Sequence, residues 1–235
     1  MHVAVVTVGN ELLTGDTTNT NATWLCEQLT DRGVRVRRVT VVPDETAEIA
    51  RVVNEYRAEY DAVIVTGGLG PTHDDVTMEA VAAACGRSVE QSEAVLEWLE
   101  EYGGYAREDL TEGTADVPTG ARVLHNEVGV APGCVIESIY VLPGVPDEMK
   151  AMFGTVAEEF SGPDRHVEVV PADEPESVLL DRLAELRETF PDVDVGSYPG
   201  ELVRVKLSGT DRDAVREAAE WLETRVESPE QANGR

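Results

Sequence analysis

The stretch Thr66-Gly67-Gly68-Leu69-Gly70-Pro71-Thr72-His73-Asp74-Asp75-Val76-Thr77 decides the fold. A short apolar run, Ala62–Thr66, precedes it, and an apolar segment, residues 76–85, follows and stops at Gly86. Such a run before a glycine-rich loop reads as a buried strand, and the segment after the loop has the length and stop signal of a helix. A strand, a glycine turn and a helix in that order make one step of a parallel, helix-covered sheet.

The same step repeats outward. Residues 3–8 form an apolar run, followed from about Asn21 by a helix with Trp24, Leu25 and Leu29 in successive turns and Gly33 as its stop. Residues 34–42 alternate as a strand does, and Pro43-Asp44 opens a helix whose stripe is Ile49, Val52, Val53 and Tyr56. Residues 92–102 read as a helix, 123–125, 134–137 and 140–142 as short strands, and 147–160 as a helix. The expectation is a three-layer α/β domain with a parallel sheet over residues 1–162. After Ser161-Gly162-Pro163-Asp164 the order changes to strand, helix, strand, strand, helix. Residues 163–228 therefore read as a small α+β domain, βαββα, like half of a ferredoxin-like fold, with a flexible tail over 229–235.

Loops that follow parallel strands meet in one crevice at the carboxyl ends of the strands. In the first, Gly9-Asn10-Glu11-Leu12-Leu13-Thr14-Gly15-Asp16 continuing to Asn19-Thr20-Asn21, Glu11 can ligate a metal, and Asn19 and Asn21 can hold a ribose or a pterin edge. A plain capped turn, with Asn19 or Thr20 as cap, explains the same residues. In the second, Gly67, Gly68 and Gly70 let the backbone approach a ligand closely, with Pro71 and Thr72 beside them. The helix start that follows favours an anion. Asp74 and Asp75 there suit anion binding only if a divalent cation such as Mg²⁺ intervenes; otherwise one of them caps the helix. The third loop, Leu142-Pro143-Gly144-Val145-Pro146, is a stiff turn before a helix. The loop 127–133, ending in Gly133, is expected to line the same crevice.

Together these segments resemble the amino-terminal domain of the competence/damage-inducible protein A family, in the family's order and spacing across most of residues 1–160. The second domain resembles that family's small module around Glu176-Ser177 and Gly196-Ser197-Tyr198-Pro199. The glycine loop with Asp75-Val76-Thr77 is also similar to molybdopterin adenylyltransferases, which share the domain. The resemblance implies a phosphate-bearing nucleotide or pterin ligand, molybdopterin among the candidates. It also implies a possible activity, hydrolysis of ADP-ribose by a metal-dependent pyrophosphatase using Mg²⁺ or Co²⁺. By that analogy Glu11, Asp74 and Asp75 hold metal or orient water, and Gly67, Gly68, Gly70 and Thr72 cradle phosphate, with Gly144 on the far side. The nicotinamide mononucleotide deamidase domain of longer relatives is not expected. One departure stands out: where relatives carry a basic, amide-rich stretch, this chain reads Leu110-Thr111-Glu112-Gly113-Thr114-Ala115-Asp116. Lys150, or an arginine from another subunit, is left as the replacement cation. A binding module that holds its ligand unchanged, and an adenylyl transferase, remain the other readings.

Composition bounds the function. Acidic residues outnumber basic ones 46 to 19, for a net charge of −27, and the lysines are Lys150 and Lys206 alone. Such a surface repels phosphate backbones at long range, which argues against nucleic acid, and resembles proteins of extreme halophiles. No apolar run reaches the roughly 20 residues of a membrane span. Three widely spaced cysteines, Cys26, Cys85 and Cys134, fit reduced thiols in a cytoplasmic protein. A homodimer or homotrimer is expected.

Overall fold

The computed structural model describes residues 1–227 and divides into two compact units, Met1–Gly162 and a second beginning at Pro163. The expected tail at 229–235 lies outside the described residues. Among the described residues no helix is long and apolar enough to cross a membrane.

In the first unit, β1 (His2–Val8), β2 (Arg35–Val42) and β3 (Ala62–Thr66) alternate with α1 (Asn10–Thr14), α2 (Thr20–Asp31), α3 (Thr46–Glu59) and α4 (Thr77–Ala84). Beyond them come β4 (Val89–Gln91), α5 (Glu93–Trp98), a π-helical turn at Leu99–Gly103, β5 (Asp116–Pro118), β6 (Arg122–Leu124), β7 (Gly133–Ile136), β8 (Ile139–Leu142) and α6 (Pro146–Val156). The main sheet has the order β2-β1-β3-β8-β7-β6. Side chains of β1 and β3 alternate between its faces. Ala4, Val6, Val63 and Val65 pack under α3 and α4 with Ile49, Val53 and Val81. Val3, Val5, Ala62 and Ile64 pack under α2 and α6 with Leu25, Leu29, Met149 and Phe153. β3 is buried along its whole length, which is why its sequence is an unbroken apolar run rather than an alternating one.

The sheet is mostly, not wholly, parallel. β2, β1, β3 and β8 run parallel, but β7 is antiparallel to β8 and β6 antiparallel to β7. The reason is length: Glu137-Ser138 alone joins β7 to β8, and parallel strands need a crossover of roughly a dozen residues. Glu137 takes the tight turn at φ 53°. Two features had no sequence signal: the five-residue α1 inside the first loop, and the small β4-β5 ladder.

The second unit runs β9 (His166–Ala172), α7 (Glu176–Thr189), β10 (Asp194–Tyr198), β11 (Val203–Gly209) and α8 (Arg212–Glu223). Its sheet, β10-β11-β9, has antiparallel neighbours throughout. Val170, Val205 and Leu207 on one face pack against Leu179, Leu183, Val215 and Leu222 of the two helices. The architecture is the α/β domain followed by a small α+β domain that the element pattern implies.

Candidate ligand-binding site

The loops after β1, β3 and β8 converge through their glycines. Gly67 donates its N–H to the Leu142 carbonyl at 3.2 Å. Its φ is +105°, and a Cβ there would collide with the Val8 carbonyl oxygen, so only glycine fits. A Cβ on Gly144 would lie 3.2 Å from Gly67 Cα. The Thr77 hydroxyl donates to the Gly67 carbonyl at 2.9 Å, and the Thr77 N–H to the Gly68 carbonyl at 3.2 Å. Thr77 is buried and spent on holding the glycine turn, a role separate from any ligand.

The two asparagines of the first loop part company. Asn19 caps α2, its Oδ1 accepting from the Ala22 N–H at 3.1 Å, while its Nδ2 donates to Thr7 Oγ1 at 2.9 Å. Asn21 Nδ2 donates across the crevice to the Gly144 carbonyl at 2.7 Å. The Thr66 hydroxyl beside it donates to the Pro143 carbonyl at 2.6 Å. The Gly144 carbonyl can only accept, so it fixes which end of the Asn21 amide faces it. Asn21 Oδ1 is then left buried with no partner. Asn19, Asn21, Thr66 and Gly144, with Glu11, Leu12, Thr17, Thr18 and Pro146, line a cleft of about 100 Å³; Pro143 is not part of its lining. Gly9 is not part of the lining; its N–H donates to the Val42 carbonyl at 3.1 Å.

Asp74 and Asp75 do not cap α4, whose N-terminal residue Val76 makes no side-chain cap. Both turn back onto Thr72. Its hydroxyl lies 2.6 Å from Asp74 Oδ1 and 2.5 Å from Asp75 Oδ2, and its N–H donates to Asp75 Oδ2 at 3.0 Å. One hydroxyl has one proton, so the two carboxylates compete for it. The hydrogen bond from Thr72 holds the Asp74 carboxyl below its usual range. Asp75 lines a second cleft of about 190 Å³ with Gly68, Gly70, Pro71, Thr72, Glu79, Glu112 and Asp116. Gly70 and Pro71 also border a third, more apolar cleft of about 270 Å³ walled by Leu69, Tyr105, Leu110 and Val130. His73 is almost fully exposed, 3.9 Å from Asp74.

The single metal cluster expected of Glu11, Asp74 and Asp75 is not formed. Glu11 lines the first cleft and Asp75 the second, and among the described residues no three His, Cys, Asp or Glu side chains are grouped to hold a metal ion. The Gly67-Gly68 turn, pressed onto Val8, stands between them, with Gly67 facing one cleft and Gly68 the other. No lysine or arginine lines any of the three clefts. Lys150 does not fill the gap; its ammonium lies 3.7 Å from Asp147 Oδ1.

The loop 127–133 is organised by a residue that periodicity does not reveal. Asn126, 2% exposed, accepts from the N–H groups of Val128 and Gly129 at 3.2 and 2.8 Å and donates to the Ala131 carbonyl at 2.9 Å and to Glu148 Oε2 at 2.7 Å. The one hint in the sequence is an asparagine just ahead of a glycine turn. Gly133 backs onto Met152 and the Val141 carbonyl, so no larger residue fits there.

Residues 4–161 match the family model described as "Probable molybdopterin binding domain". The chain belongs to this molybdopterin-binding domain family. Residues 165–232 match the model of the FAD synthase middle domain. A protein of Archaeoglobus fulgidus is 40% identical over 224 residues, covering 95% of this chain and 97% of the relative. A Pyrococcus furiosus protein is 38% identical over 245 residues, covering 96% and 97%. Among solved structures, the CinA protein of Thermoplasma acidophilum, described as of unknown function, is 38% identical with a TM-score of 0.63. That similarity covers 68% of this chain and 97% of the other. The resemblance to the competence/damage-inducible protein A family is thereby supported at the level of both sequence and fold.

Proposed function

We propose that the first unit binds a nucleotide or pterin carrying a phosphate or diphosphate, and hydrolyses the diphosphate of ADP-ribose or a similar dinucleotide with the help of a divalent metal. The observation that carries the binding reading is Asn21 Oδ1, a buried acceptor without a donor at the meeting point of three loops. A buried acceptor left unpaired costs about 1–3 kcal/mol, which a ribose hydroxyl or a pterin N–H would recover. Asn21, Gly67, Gly144 and Pro146 then hold the uncharged part of the ligand, and the loop from Gly68 to Asp75 faces its phosphates.

The donor set fits a metal only in part. Glu11 lies outside the cluster, whereas Asp74 and Asp75 offer the two carboxylates that Mg²⁺ takes when substrate phosphates and water complete its shell. Bound there, Mg²⁺ or Co²⁺ would supply the positive charge that the clefts lack. Thr72 positions both carboxylates, and Asp75, braced by two hydrogen bonds, is the better fixed. An arginine from a second copy is another source of charge, and a closed homodimer or homotrimer is proposed with it.

One observation favours a binding module instead: the clefts contain no cation, and the described residues contain no three-ligand metal group. Incubation of the purified chain with ADP-ribose, other dinucleotides and pterins, with Mg²⁺, Co²⁺ or chelator, tests the choice. Metal-dependent release of AMP supports the hydrolase. Tight binding of a ligand recovered unchanged moves the function to the module.

A further inference from the structure

α7 and α8 cover one face of the second unit's sheet; the other carries a composition unlike the rest of the chain. Direct pairing puts Lys206 between Val169 and Gly196, and Arg204 between Pro171 and Tyr198. Val167, Val169 and Tyr198 on this side are 46%, 50% and 50% exposed. The Tyr198 ring folds back over Gly196, where a Cβ would lie 3.0 Å from Cε2 and 3.1 Å from the hydroxyl. Gly196 thus makes room for an aromatic ring against the strand, next to Lys206. The one carboxylate on these three rows, Asp194, is held by Arg165 at 2.5 Å. Arg204 and Lys206 have no ion-pair partner among the described residues, in a chain with 46 acidic residues and 19 basic ones.

We infer that this sheet face is a second ligand site, distinct from the loops of the first unit, and that it takes a mononucleotide. The base stacks on Tyr198 and the phosphate meets Arg204 and Lys206. An exposed aromatic ring beside unpaired cations on a sheet is the arrangement that binds a base and its phosphate together. The face also has the right size. Three strands about 4.8 Å apart and five residues rising about 3.3 Å each give on the order of 250 Å². That is far below the roughly 800 Å² per partner of a stable protein interface. Self-association face to face would set Arg204 and Lys206 of two copies against each other. A long polyanion would have to cross the field of a chain of net charge −27, whereas a mononucleotide brings only its own phosphate.

The test is a titration of the ¹⁵N-labelled full chain with AMP, adenosine and inorganic phosphate, read from assigned backbone amides. AMP is expected to move amides of β9, β10 and β11, with adenosine and phosphate each binding more weakly. Tyr198→Leu and the pair Arg204→Gln with Lys206→Gln each weaken AMP at this sheet by about tenfold, the scale of losing one base–aromatic stack. Tyr198 and Arg204 are exposed and Lys206 half-buried on the face away from the helices, so both changes are expected to leave amides of the first unit unaffected. Three results overturn the inference: no response of this sheet to AMP, a phosphate response equal to that of AMP, or dilution-dependent shifts of the same amides with a doubled mass, which would assign the face to a second copy.

Discussion

Gly67→Ala is the substitution on which the architecture of the site can be judged. Gly67 has φ +105°, and an added Cβ would collide with the Val8 carbonyl oxygen, a backbone atom that cannot rotate away. A residue other than glycine in so sparsely allowed a region costs about 1–3 kcal/mol. Forcing a methyl group into backbone adds about 1–3 kcal/mol more. The expected loss is therefore about 2–6 kcal/mol, a large part of the roughly 5–15 kcal/mol that holds a typical domain folded. Gly15→Ala is the internal control. It too has positive φ, +80°, but no atom lies within 4 Å of the new Cβ, so about 1–2 kcal/mol of backbone strain is all it should lose. Urea unfolding of both variants in a Trp221→Phe background reads the first unit through Trp24 and Trp98. A Gly67→Ala variant no less stable than Gly15→Ala would refute the claim that the second loop is pressed onto the end of β1.

Three further outcomes follow from individual contacts. Asn126→Ala strands two N–H groups and a carbonyl in a buried turn and should lower stability by on the order of 3 kcal/mol in urea unfolding; a change below about 1 kcal/mol would show that the turn holds without it. In the second unit the hydrogen bond from Arg182 keeps the Glu174 carboxyl below its usual range. That stability is full above the unfolded value of about 4.3 and is lost as pH falls through the lower folded value. Glu174→Gln should therefore flatten the acid limb of the Trp221-monitored melting curve, and an unchanged limb would count against the pair. The net charge of −27 predicts a melting temperature that rises by many degrees from low to molar salt, because screening relieves self-repulsion, and a flat profile would remove the halophile reading.

The sequence showed the strand–loop–helix steps plainly because a strand buried on both faces is close to continuously apolar, as residues 62–65 of β3 are. It showed the crevice because β1, β3 and β8 run parallel, so the loops that follow them lie at the same end of the sheet. The antiparallel hairpin of β7 and β8 was legible in principle from the two residues between them. What was hidden is side-chain direction. Spacing does not say that Asn19 caps a helix while Asn21 reaches across the crevice, nor that Asp74 and Asp75 turn back onto Thr72 rather than toward Glu11. Nor does it say that Asn126 is buried, since an isolated polar residue leaves no periodic trace. The acidic residues Glu112 and Asp116 were visible in the chain, and the structure gives them a place: they line the same cleft as Asp75.

The central claim, that this site holds a phosphate-bearing ligand through a cation carried by Asp75, is tested most directly by calorimetric titration of a non-hydrolysable methylene-bridged analogue of ADP-ribose into wild type and Asp75→Asn, with Mg²⁺ and with chelator. Asparagine keeps the shape and can still accept from the Thr72 N–H, so the fold should stay unchanged. The account predicts binding by the wild type only with Mg²⁺, and an affinity for Asp75→Asn lower by about tenfold or more, the scale of one charge-assisted contact of roughly 1.5–3 kcal/mol. Equal affinity in the two proteins, or wild-type binding indifferent to Mg²⁺, would contradict it.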